Sequence, residues 1–167
     1  MTKGMLVDIQ IKIADFTEPK DANALVHLMD NYAKDPMGGG SGLSEDVKTN
    51  LPSKLANIPH AFSIICYVNH KPAGLINCFE AFSTFSCKPL VNIHDVIVLK
   101  EFRGLGLSQS MLQKVEALAR EKGCSKLTLE VLQGNTLAQQ AYSKYGFAGY
   151  ELDPSMGQAV FWQKALF

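Results

Sequence analysis

Isoleucines at 9, 11 and 13 alternate with polar residues, which is the two-residue period of a strand with one buried face. The period then changes. Leu25, Val26, Leu28 and Met29 fall at helical spacing; Asp21 is placed to cap that helix, which ends near Asp35. A second helix starts after Ser44, carries Leu51 and Leu55, and stops before Pro59, with a break or kink predicted at Pro52. Phe62 to Val68 is dense in Ile, Phe, Tyr and Val. With the turn residues Asn69-His70-Lys71-Pro72 and a second such run from Ala73 to Phe82, it predicts a hairpin. Pro89 opens a third run, Leu90 to Leu99. Leu107, Met111, Leu112, Val115, Leu118 and Ala119 return at steps of three and four and predict a long amphipathic helix stopped by Gly123. Leu127, Leu129 and Val131 mark a strand. Asn135 caps a short helix, Thr136 to Lys144, which Gly146 ends, and Phe147 to Leu152 and Ala159 to Leu166 read as the last two strands.

The predicted order is β-α-α-β-β-β-α-β-α-β-β. It is an α/β chain of the α+β kind, with a mixed central sheet of about seven strands and helices on both faces. A doubly wound parallel sheet would need strict βα alternation, which is missing. At 167 residues, with no internal repeat and no linker, residues 1–167 are expected to form one domain. The run Pro36 to Gly42 holds four glycines and predicts a mobile loop inside it. Lys plus Arg number 16 and Asp plus Glu number 16, so no basic excess points to nucleic acid. No apolar run approaches the roughly 20 residues of a membrane span, and no secretion signal is visible. The four cysteines form no C-x-x-C pair and read as reduced core thiols of a cytoplasmic protein, and with four scattered histidines they offer no metal site.

Candidate chemistry concentrates between the third run and the long helix, at Arg103-Gly104-Leu105-Gly106-Leu107-Ser108. Glycines let the backbone approach a ligand, and the first amides of a helix have no partner inside it, so the turn suits a pyrophosphate. Arg103 can serve as a charged contact or as a structural one. The dinucleotide fingerprint fails because its third glycine would fall on Gln109, and no Gly-Lys-Ser/Thr of a Walker loop follows.

The pattern Arg-x-x-Gly-x-Ser at 103 to 108 resembles motif A of the GCN5-related N-acetyltransferases. Asn135-Thr136-Leu137-Ala138, Tyr142 and Tyr145-Gly146-Phe147 resemble that family's Asn-x-x-Ala…Tyr…Gly-Phe segment, and the element order over the whole chain is similar too. His94 to Gln109 is similar to the matching stretch of the diamine (spermidine/spermine) acetyltransferases, although His94 stands where those tend to carry an acid, and Ser108 replaces a final Gly/Ala. The resemblance implies acetyl-CoA in a cleft where the 90–99 and 127–132 strands splay apart. Its pyrophosphate would lie on the backbone of Gly104, Leu105, Gly106, Leu107, Ser108 and Gln109 beside Arg103. Its pantetheine arm would pair with Val96, Ile97 and Val98, and Asn135 would line the cofactor side. It also implies Tyr142 at the CoA sulfur. Homodimers are common in that family, so a homodimer is among the expected partners.

Each implied role has to satisfy acid–base chemistry. An attacking amine must be neutral, although a lysine-like amine has a pKa of about 10, so a base or a water chain must take its proton. A thiolate with a pKa of about 8.5 can be protonated by a nearby phenol of about 10, which suits Tyr142 as general acid; a packing tyrosine is the bland alternative. A backbone N–H near Val96 to Val98 is a candidate oxyanion donor. His94, Asp95 and Glu80 are the candidates for acceptor binding or for the base, with Glu130 behind them. Strand alternation places His94 and Asp95 on opposite faces. No cysteine has a basic neighbour or a helix N-terminus to activate it, so direct transfer in a ternary complex is expected over an acyl-cysteine.

The sequence therefore predicts an acetyl-CoA-dependent N-acetyltransferase acting on a primary amine of a small molecule or peptide, without nucleic-acid or membrane partners and without a metal. A non-catalytic acyl-CoA-binding sensor and an accessory protein-contact domain are the alternatives. Neither requires Tyr142, and the second does not require the glycine turn.

Overall fold

The computed structural model describes residues 7–151 and 153–166. Two compact units divide the chain, one ending at Leu129 and the other beginning at Glu130.

The first unit is built on a five-stranded sheet in the order β1-β2-β3-β4-β5. Its strands are β1 (Ile9–Ile13), β2 (Ala61–Val68), β3 (Lys71–Ser83), β4 (Lys88–Val98) and β5 (Leu127–Leu129). The first four are antiparallel neighbours, and β5 joins β4 in parallel. Asn69 and His70, at φ 49° and 64°, form the two-residue turn between β2 and β3; both central residues are left-handed, which matches the twist of the strands they join.

Helices α1 (Pro19–Lys34) and α2 (Glu45–Ala56) cover one face of the sheet. There Leu25, Leu28 and Leu55 pack with Ile65, Tyr67, Leu75 and Ile97. Helix α3 (Leu107–Glu121) covers the other face, burying Leu107, Met111, Leu112, Val115 and Ala119. Its approach is close. A Cβ on Gly74 would stand 2.7 Å from Met111 Cε and 3.0 Å from Ile97 O, so a larger residue in β3 would force the Met111 side chain and the β4 backbone to shift.

Several local expectations are corrected. Glu18, not Asp21, caps α1, its carboxylate accepting from the Asp21 amide at 2.9 Å. Asp21 is buried one turn in, where it accepts from the Tyr67 hydroxyl and the Asp15 amide and pairs with Lys12. Ser44 does cap α2, but Pro52 does not break it. The glycine loop starts as a bonded turn: Asp35 O accepts from the amides of Gly38 and Gly40, and Asp30 Oδ1 accepts from the Leu43 amide. Gly38 sits against Tyr32 O with no room for a side chain, so this end of the loop is packed.

In the second unit, α4 (Thr136–Tyr145) is capped by Asn135, whose side chain accepts from the Ala138 amide at 3.2 Å. Gly146, at φ 113°, closes it: the Gly146 amide donates to Ser143 O and the Phe147 amide to Tyr142 O, the paired bonds of a Schellman stop. The two final strands do not form among the described residues; Leu152, at the end of the first, lies outside them. Ala159 N–H reaches Tyr150 O at 3.4 Å, a single long rung. Val160, Phe161 and Trp162 stay exposed, so no buried apolar surface offsets the entropy of ordering a ladder there. The sheet therefore has five strands instead of about seven. No helix among the described residues is long and apolar enough to cross a membrane.

Candidate functional site

β4 outruns its parallel neighbour. β5 pairs Leu127, Thr128 and Leu129 with Val91, Asn92 and Ile93 and goes no further. From His94 to Val98 the outer edge of β4 has no strand beside it among the described residues. Leu99 N–H donates to Ala73 O at 3.0 Å, so alternation turns the amides of Ile97 and Leu99 toward β3 and those of Val96 and Val98 outward. An extended ligand can pair with such an edge as an added strand would.

The turn that follows is open. Gly104 and Gly106 have φ of 83° and 72°, and a Cβ on either would meet nothing within 4 Å. Backbone handedness, not crowding, demands glycine here in the free protein, and the empty space above the backbone is room for a ligand. Gly106 is the N-cap of α3 and has no side chain to bond the first amides of this 15-residue helix. Leu107 is buried and anchors the turn; Ser108 and Gln109 are half-buried, and Gly104, Leu105 and Gly106 are exposed. Uncapped amides and the helix dipole together favour an anion at this end. A pyrophosphate fits this donor set. Arg103 has two structural contacts: its Nε donates to Val98 O at 3.2 Å, and its guanidinium lies 3.9 Å from Asp35.

A register shift brings the polar pair of β4 together. Asn77 stands opposite Asp95 and Cys78 opposite Ile93, so His94 is the extra residue of a β-bulge. The strict alternation expected from sequence is broken there. Asp95 lies on the α1 face with its partner Asn77, and the His94 ring meets Phe79 of that same face edge-on, with centroids 5.6 Å apart. His94 is exposed and Asp95 half-buried. Glu80 is on the opposite, α3 face, where it pairs with Lys122 at 2.6 Å. The structure thus brings His94 and Asp95 together and separates Glu80 from them.

Sequence reasoning missed the groups behind Asp95. Asn77 Nδ2 donates to Asp95 Oδ2 at 2.9 Å, and Ser63 Oγ donates to Asn77 Oδ1 at 2.6 Å, with both residues buried. The signal was present, since Ser63 and Asn77 are polar interruptions of the two most apolar strands. Tyr32 of α1 faces the same carboxylate; burial first, then the charges of Asp95 and Asp35, push its phenol up.

The thiols are poor nucleophiles. Burial pushes Cys66 up to about 11, and burial followed by the charge of Asp95 raises Cys78 further. Cys124 is raised too, while Cys87 is exposed in the turn between β3 and β4, not in the core.

In the second unit, Tyr142 lies on the last turns of α4, with its ring edge-on to Phe147 at 6.0 Å. The Tyr142…Gly146-Phe147 spacing has a physical basis: Gly146 reverses the chain so that Phe147 returns against the tyrosine ring. Gln139 Nε2 donates to Leu132 O and Gln133 O and ties the preceding loop to the helix.

Similar proteins place this geometry. The family model described as Acetyltransferase (GNAT) family matches residues 26–147, well over half of the chain. Thialysine N-epsilon-acetyltransferase of Bos taurus is 38% identical over 56 residues, which are 34% of this chain and 33% of that protein. The protein of the same name from Caenorhabditis elegans is 32% identical over 99 residues, 59% of this chain and 58% of that protein. The matched part of the chain thus spans about a third to three-fifths of the length of these curated relatives. Among solved structures, an aminoglycoside N-acetyltransferase in complex with CoA has a TM-score of 0.72 at 18% identity, covering 96% of this chain and 97% of that one, a likeness of fold. The unpaired edge of β4, the bulge at His94 and the glycine turn are thus read in a chain that belongs to the acetyltransferase (GNAT) family.

Proposed function

We propose that residues 1–167 form one acetyl-CoA-dependent N-acetyltransferase domain that acetylates a primary amine of a small molecule or peptide by direct transfer in a ternary complex. The observation that carries the reading is the open edge of β4 at Val96 to Val98, followed in the chain by a glycine turn whose N-cap, Gly106, gives α3 no side-chain cap. A family match that runs across the boundary at Leu129 supports treating both units as one domain.

On this reading the diphosphate of acetyl-CoA rests on the amides from Gly104 to Gln109, and its amide-bearing arm pairs with Val96 and Val98. Ile97 supplies the buried side chain that fixes the strand, and Asn135 starts the helix that carries Tyr142. Attack of a neutral amine on the thioester carbonyl puts negative charge on oxygen, and an outward N–H of β4 donates a hydrogen bond to that oxygen. Tyr142 gives its proton to the departing thiolate. Asp95, with His94 beside it, receives the acceptor. Relatives named for thialysine, and neighbours named for aminoglycosides, support a cationic small molecule as that acceptor. With His94 in place of an acid, Asp95 is the one carboxylate of the pair, which disfavours a long polyamine with several ammonium groups but not a small diamine. Glu80, held by Lys122, is read as structural. Buried free thiols at Cys66 and Cys78 support a reducing, cytoplasmic setting, and a homodimer is the proposed assembly, checked by light scattering.

The test is thiol release from acetyl-CoA across a panel of amines, with wild type and Tyr142→Phe, alongside thermal shift by CoA. Wild type should release thiol with intersecting-line kinetics, and Tyr142→Phe should keep the CoA shift while kcat falls about 100-fold. A CoA shift without transfer to any amine would establish the sensor instead. Full kcat in Tyr142→Phe at every pH would remove the general-acid role.

A further inference from the structure

The strongest unexplained feature of the first unit is a buried polar chain in the middle of its sheet. Ser63 is 1% exposed and Asn77 5% exposed, and both sit on strands otherwise filled with Ile, Leu, Val and Cys. Burying a hydroxyl and a carboxamide costs free energy unless each is bonded, and here each bond has a direction. The Ser63 hydroxyl donates to Asn77 Oδ1 at 2.6 Å. That fixes which way the amide faces and turns Nδ2 toward Asp95 Oδ2, 2.9 Å away. Met29 Sδ, at 3.2 Å, receives from the same nitrogen. The chain of bonds ends at the carboxylate that the bulge at His94 has placed on the α1 face.

A structural purpose alone does not account for this arrangement. An apolar pair at 63 and 77 would fill the space between β2 and β3 without desolvating three polar side-chain atoms. What the chain accomplishes is to commit one carboxylate oxygen of Asp95 to a neutral donor. The carboxylate stays an anion, its plane is set, and the second oxygen is aimed by the first.

We propose that Asn77, itself oriented by Ser63, is a positioning residue that aims Asp95 at the acceptor amine and makes the site select acceptors that carry a second, protonated nitrogen. The inference rests on the acetyltransferase reading above. Neither Asn77 nor Ser63 touches substrate; both act through Asp95.

The experiment compares two probes of similar length, 1,4-diaminobutane and 1-aminobutane. When the reacting end is neutral, the first still carries an ammonium and the second does not. The readout is the ratio of kcat/KM for the two, measured with wild type, Asn77→Ala, Ser63→Ala and Ser63→Thr. Wild type should favour the diamine. Asn77→Ala should shrink that preference about tenfold, the effect of losing one hydrogen bond to a charged group, with the KM for acetyl-CoA unchanged. Ser63→Ala should shrink it in the same direction, and Ser63→Thr, which keeps the hydroxyl, should restore it. General loosening of the fold would lower both probes equally and leave the ratio alone. An unchanged ratio in Asn77→Ala overturns the inference while leaving the acetyltransferase reading intact. The same holds if wild type shows no preference between the probes. If wild type acetylates no amine at all, the parent reading fails and this one with it. Should Asn77→Ala not fold, Ser63→Ala against Ser63→Thr decides the matter alone.

Discussion

Arg103 Nε donates to the carbonyl of Val98 at 3.2 Å, tying the start of the glycine turn to the open edge of β4. The same guanidinium reaches toward Asp35, which holds the first half of the glycine loop through the amides of Met37, Gly38 and Gly40. One side chain thus braces three segments.

The first prediction follows from that brace. Arg103→Ala should raise the KM for acetyl-CoA about tenfold, because the turn loses a bond to a charged donor. Stability should drop by no more than about 1 kcal/mol, since the contacts are partly solvated. Arg103→Lys should not restore binding, because an ammonium lacks the planar fork that serves two acceptors at once. Steady-state kinetics with varied acetyl-CoA measure this, and a wild-type KM in Arg103→Ala counts against it.

The glycines give a second prediction with a separable signature. At φ 83° and 72°, Gly104→Ala and Gly106→Ala each force an L side chain into the left-handed region at a cost of about 1 kcal/mol. No neighbour is struck in the free protein. The apo melting temperature should therefore fall by only a few degrees, while CoA affinity, which needs the backbone to approach the diphosphate, falls at least tenfold. If calorimetry finds equal CoA affinity in both variants, the diphosphate does not lie on this turn.

How much of this was legible beforehand depends on whether the information is local. The glycine turn, the α3 stripe from Leu107 to Ala119 and the Asn135 cap are set by residues a few positions apart, and all were visible. The bulge at His94 was not, because it exists only relative to β3, where Asn77 and Cys78 take Asp95 and Ile93 as partners. Asp21 reads as a cap from sequence for the same reason: its partners, Lys12 and Tyr67, lie on strands β1 and β2. The final strands are predicted by β-branched and aromatic runs, but Phe161 and Trp162 stay mostly exposed, and propensity without a partner makes no ladder.

Asp21 supplies a third prediction, on pH. Burial alone would raise its carboxyl, but the hydrogen bonds from Lys12, the Asp15 amide and the Tyr67 hydroxyl outweigh burial and hold it below the usual range. A folded-state pKa below the unfolded value of about 3.9 means the contribution is complete well above that pH and is lost as pH falls through the folded value. Tyr67→Phe removes one donor, costs about 1–2 kcal/mol at neutral pH, and lets the folded pKa climb. Its acid-unfolding midpoint should move to higher pH than that of wild type. Coincident acid transitions, followed by circular dichroism from pH 6 to 2, would show that Asp21 carries no such linkage.

The last prediction bears on direct transfer against an acyl-cysteine. A thiol pushed up to about 11, as Cys66 is, holds on the order of a thousandth of its population as thiolate at pH 8. Cys78 is buried and raised further by the charge of Asp95, and Cys124 is raised by burial and Glu80. Iodoacetamide on the native protein at pH 8 should therefore label exposed Cys87 first, with Cys66 and Cys78 reacting only on unfolding. Cys87 stands in the turn after β3, at φ 50°, away from the glycine turn and from the open edge of β4. Its alkylation should leave thiol release from acetyl-CoA unchanged, as should Cys87→Ser. Peptide mass mapping during turnover should find no acetylated cysteine. An acetyl group on any of the four, formed and discharged at the rate of turnover, would replace the ternary-complex mechanism with a two-step one and take the role of first nucleophile from the amine.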